Sequence, residues 1–91
     1  MERIELRIID DPKNARVYKG PGHYAATRAQ TAIRTIEAAF PQLQFRLSGD
    51  QKLASLTAVA FVAEPIASIE FIDIVAAALE ATGTRIASAM P

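Results

Sequence analysis

The apolar residues of this chain change their spacing as the sequence proceeds, and that change of period restricts the fold more than any motif does. Over 2–9, Ile4, Leu6 and Ile8 alternate with Arg3, Glu5 and Arg7, the pattern of a strand with one wet face. Over 22–40, Ala25, Ala29, Ala32, Ile33, Ile36 and Phe40 recur at helical spacing, and Pro41 ends the run. Period two returns over 42–48, where Leu43, Phe45 and Leu47 alternate with Gln44 and Arg46. After the turn signal Ser48-Gly49-Asp50 it continues over 52–63. A second helix is predicted over 65–82, opened by Glu64-Pro65 and closed by Gly83, with Phe71, Ile72, Val75, Ala78 and Leu79 inward. A closing strand is predicted over 84–90. Residues 10–14 read as a turn, after which 15–19 form a short returning strand that would add an N-terminal hairpin.

This order, β–α–β–β–α–β, predicts an α+β fold. It matches the ferredoxin-like (split βαβ) two-layer sandwich, with an antiparallel sheet carrying both helices on one face. At that level it resembles small-ligand regulatory domains, dimeric α+β barrels and microcompartment shell domains alike. None of their diagnostic motifs matches here residue by residue, so no site residue follows from the resemblance. Ninety-one residues predict one domain, 1–91.

Composition narrows the chemistry. With no cysteine there is no disulfide, thiolate nucleophile or zinc ribbon. One histidine builds no multi-histidine metal centre, so neither metal nor cofactor is expected. MERIELRIID is charged within its apolar run and reads as neither a signal nor a transit peptide. With no apolar run long enough to cross a membrane, a small soluble cytoplasmic domain is expected. Net charge is zero but uneven. Residues 1–46 hold eight basic and five acidic side chains, and residues 47–91 hold two basic and five acidic. In the fold, this split reads as arginines of the first helix, Arg28 and Arg34, facing Glu70, Asp73 or Glu80 on the second. It also describes a dipolar surface able to dock head to tail.

Two places draw attention. The stretch Gly20-Pro21-Gly22-His23-Tyr24 leads into the first helix, and a helix start can offer backbone N–H groups to an anion. It lacks the spacing of either glycine-rich phosphate motif and reads first as a turn. The alternative function is a regulatory domain binding a small anionic ligand at Gly20, Gly22, His23 and Tyr24. An enzyme would need a cofactorless site made from His23, Tyr24 and an arginine, which nothing in the sequence requires.

The second place is the sheet face that the helices leave open. Alternation puts Arg3 and Arg7 there, joined by Arg46, Val59, Phe61 and Arg85. The first strand has no aromatic, the RNP1 pattern is missing and net charge is zero, so nucleic acid is not the expected partner. Arginines beside an aromatic suit a protein contact. The function expected is a small non-enzymatic protein–protein interaction module. Its partner is another protein chain, either a second copy in a homo-oligomer or an unidentified protein.

Overall fold

The computed structural model describes residues 2–11, 13, 24–49, 54–62 and 68–90. The elements run β1 (Glu2–Asp10), α1 (Ala25–Ala39), β2 (Leu43–Ser48), β3 (Ser55–Val62), α2 (Ser68–Glu80) and β4 (Thr84–Met90). The expected 15–19 hairpin strand and the Glu64-Pro65 helix start lie outside the described residues. The four strands form one sheet in the order β2-β3-β1-β4, and every neighbouring pair is antiparallel. The connection through α1 therefore carries the chain from β1 past β3 to β2, and the one through α2 carries it from β3 past β1 to β4. The two crossovers interlock, so the sheet's centre, β3 and β1, is made from strands distant in sequence.

Both helices contribute to a single core on one face of this sheet. Leu6 and Ile8 of β1, Leu43 and Phe45 of β2, and Leu56, Ala58, Ala60 and Val62 of β3 meet Ala26, Ala29, Ala32, Ile33 and Ile36 of α1. Phe71, Val75 and Leu79 of α2 complete the layer. The alternation seen in the sequence is thus the alternation of burial along β3, where every second side chain is buried. Alanines on the inner faces of α1 and β3 let the layers approach closely. The bulk is supplied by Phe45 and Phe71, whose rings stack with centroids 6.2 Å apart and planes at 22°. α1 begins later than its apolar period suggests, because Tyr24 is still extended (φ −92°, ψ 142°). It ends where Phe40 donates its N–H to the Ile36 carbonyl at 2.8 Å, just before Pro41.

Arg28 departs most from expectation. It does not reach across to the acids of α2 but is buried, 5% exposed, in the first turn of α1. Its Nη1 donates to the Thr82 and Gly83 carbonyls at 3.0 Å each, and its Nη2 to Asp10 Oδ1 at 2.5 Å. One guanidinium thereby joins the start of α1, the turn after α2 and the end of β1. A cation in a first helical turn is unfavourable to that helix, and the carbonyls at the far end of α2 offset it. Thr82 and Thr84 finish the junction: both hydroxyls donate to the Leu79 carbonyl, at 3.0 and 3.1 Å. Gly83 takes the expected left-handed conformation, φ 71°. Arg34 also turns aside, pairing with Glu37 of its own helix at 2.6 Å.

Two consequences are measurable by urea unfolding. Phe71→Ala should destabilise the chain by about 3–5 kcal/mol, since it opens a cavity that neighbouring alanines cannot fill. Thr31→Ala, on the exposed side of α1, should change stability by less than about 0.5 kcal/mol. Arg28→Met should cost about 2–3 kcal/mol, because the Thr82 carbonyl loses its donor while the Gly83 carbonyl keeps the N–H of Asp11. Arg28→Lys should recover only part of that loss, since a point ammonium cannot span three acceptors in a plane.

Candidate functional site

The strand register builds the open sheet face row by row. Gln44, Phe61 and Arg3 lie side by side across β2, β3 and β1. The next row holds Arg46, Val59, Glu5 and, from β4, Met90. The third holds Ser48, Thr57, Arg7 and Ser88, and the last Ser55, Ile9 and Arg85. All six residues expected on this face, Arg3, Arg7, Arg46, Val59, Phe61 and Arg85, therefore share it. The arginines are exposed, and Val59 and Phe61 are half-buried among them.

The face has internal order. The Arg46 guanidinium lies 5.4 Å from the centroid of the Phe61 ring, in cation–π range. Arg3 reaches Glu5 at 3.6 Å, with both side chains substantially exposed. A shallow depression lined by Glu37, Gln44, Phe45, Arg46 and Phe61 opens beside this corner. Glu5 is the one carboxylate among four arginines on the described face, which is thus basic overall, with Phe61 and Val59 as its adjacent apolar pair.

Two apolar members of the face lie outside the six expected residues. The β1–β4 pairing shifts register between Arg7 and Ile8, and Ala87 is the extra residue. Thr84 and Ile86 point to the helices before this bulge, whereas Ser88 and Met90 turn to the open face after it. Met90 is 58% exposed there. Ile9 is the second, since the alternation of β1 simply continues one residue beyond Ile8.

The sheet's two edges differ. On β2, Glu37 of α1 accepts the Phe45 N–H at 3.1 Å while holding Arg34 through its other oxygen. A strand adding at that edge would have to displace this carboxylate. On β4 the bulge interrupts the ladder, a common protection against edge-to-edge pairing.

Of the anion-binding alternative, Gly20, Gly22 and His23 lie outside the described residues. Tyr24 precedes α1 as its N-cap, is 48% exposed, and makes no side-chain capping hydrogen bond. On the outer face of α1, Thr27, Gln30, Thr31, Arg34, Thr35 and Ala38 line a shallow depression. The Thr31 and Thr35 hydroxyls there donate to backbone carbonyls one turn back. Among the described residues no group of three or more acidic or histidine side chains converges to hold a metal ion. No described helix is long and apolar enough to cross a membrane. Comparison with protein-family models, curated proteins and solved structures found no match.

The Arg46–Phe61 contact should be measurable in isolation. A double-mutant cycle with Arg46→Met and Phe61→Leu, read by urea unfolding, should give a coupling of about 0.5–1 kcal/mol. Full additivity would mean that the guanidinium spends its time away from the ring.

Proposed function

We propose that this chain is a small non-enzymatic interaction module with the ferredoxin-like arrangement, and that it works by protein–protein contact through the open face of its sheet. The observation that carries this reading is the composition of that face. Phe61 and Val59 stand next to each other on β3, and Ile9 and Met90 lie further across the same face, all set among Arg3, Arg7, Arg46 and Arg85. Aromatic and arginine side chains are the residues enriched at protein interfaces, with apolar anchors central and charges at the rim. Such an arrangement gains from having its apolar side chains covered by a partner. The strand order supports the ferredoxin-like assignment, because each βαβ crossover spans one strand of the other.

Contact through the face suits this molecule better than strand addition, since one edge is occupied by Glu37 and the other is bulged. A sheet face that no described helix covers also has a known structural remedy, namely a second layer laid against it. A second copy of the chain is among the partners this reading allows.

The test is the mass in solution by light scattering, with helicity followed by circular dichroism. Wild type should rise above the monomer mass with concentration. Phe61→Glu should keep the helical signal and remain at the monomer mass. Arg3→Ala and Arg46→Ala should weaken association modestly, and more so at low salt, as rim charges do. A folded Phe61→Glu chain that still associates as the wild type does would contradict the open face as the contact surface.

A further inference from the structure

The open face and the outer side of α2 are electrostatic complements. On the sheet, Arg3, Arg7, Arg46 and Arg85 face outward against the single carboxylate of Glu5. On α2, Glu70, Asp73 and Glu80 are exposed, and no basic residue occurs within the helix. Ala76, Ala77 and Ala81 are exposed around them. Glu70, Asp73, Ala77 and Glu80 follow one another at three-, four- and three-residue steps, so they make one straight ridge about 15 Å long. Since α2 packs on the sheet's other face, the basic surface and the acidic ridge lie on opposite sides of the same molecule.

This distribution decides what can cover the sheet. Two open faces stacked on each other would bring four arginines against four, a like-charge arrangement that disfavours pairing. The α2 ridge of another copy brings three carboxylates instead, on a helix whose alanines let it come close to the strands. The geometry also fits. Arg46, Arg7 and Arg85 run diagonally from β2 through β1 to β4, about 20 Å from end to end at strand spacings of ~4.8 Å and rises of ~3.3 Å per residue. A helix laid along that diagonal spans its length, and long arginine side chains close the remaining distances.

We propose that the chain associates head to tail, the acidic ridge of α2 in one copy lying on the basic sheet face of the next. This rests on the reading of the open face as a contact surface and names its occupant. The contact is heterologous, each copy keeping one free face, so assembly grows into a ring or an open chain rather than stopping at a symmetric dimer. The face is only about 15 by 20 Å, below the size of a stable interface, so the association is weak and concentration-dependent.

The experiment uses the full chain at low salt, from about 10 µM to about 1 mM, with mass from light scattering and folding from circular dichroism. The sheet face is disabled by Phe61→Glu and the ridge by Glu70→Lys with Glu80→Lys, all at exposed or half-buried positions. Wild type should grow beyond a dimer with concentration and dissociate as salt is raised. Each variant alone should stay a monomer. An equimolar mixture should form a one-to-one heterodimer and nothing larger, because only one compatible pair of faces remains. If the ridge variant assembles like wild type while Phe61→Glu does not, head-to-tail assembly is overturned and the open face remains a contact surface. If both variants assemble like wild type, both readings fail. A wild-type chain that is monomeric at 1 mM overturns the inference and leaves the open face only a foreign partner.

Discussion

The guanidinium of Arg28 is the interaction on which the arrangement of layers depends. It is buried, it lies in the first turn of α1, and it holds carbonyls just beyond α2 together with the carboxylate at the end of β1. A buried cation is costly unless it is both paired and hydrogen-bonded. Here five donors in a plane meet acceptors from two other elements, a geometry only arginine provides. The link ties the start of α1 to the turn after α2, and both helices pack into one core on the same face of the sheet. Among the described residues no helix lies on the opposite face, which carries its arginines and apolar side chains outward.

Much of this was legible in the chain itself. Changes of period locate the six elements to within a few residues, and alternation in β1 and β3 assigns Phe61 outward and Ala60 inward. Gly83 announces its left-handed turn. The failures have specific causes. Arg28 sits three residues beyond Ala25, at the border of the buried stripe, and its partners are 54 and 55 residues away in sequence. No local pattern reports such a separation, and a charged residue at a border position is normally solvated. The bulge at Ala87 is equally silent, since Ala-Ser-Ala has no hydrophobic contrast from which a register shift can be read. Met90 therefore reaches the open face unannounced. The Thr82 and Thr84 hydroxyls, which close the end of α2, look in sequence like ordinary turn and strand residues.

The charge asymmetry between the two halves of the sequence takes on a different meaning in three dimensions. It is not consumed by pairing between the helices, because Arg28 and Arg34 are engaged elsewhere. The acids of α2 stay exposed on one side of the molecule while most of the described exposed arginines gather on the other. One N–H of the β2 edge is taken by Glu37, and β4 is bulged where it pairs with β1. What remains available is a face and a ridge of opposite sign, and that pairing is the basis of the proposed assembly.

The most direct measurement follows backbone amide resonances of uniformly labelled protein by two-dimensional NMR as concentration is raised at low salt. Head-to-tail contact predicts that two separate groups of amides shift together with one apparent dissociation constant. One group lies around Arg7, Arg46, Val59 and Phe61 on the sheet, and the other along residues 70–80 of α2. Shifts confined to the sheet face, shifts elsewhere, or spectra independent of concentration up to about 1 mM would contradict the account.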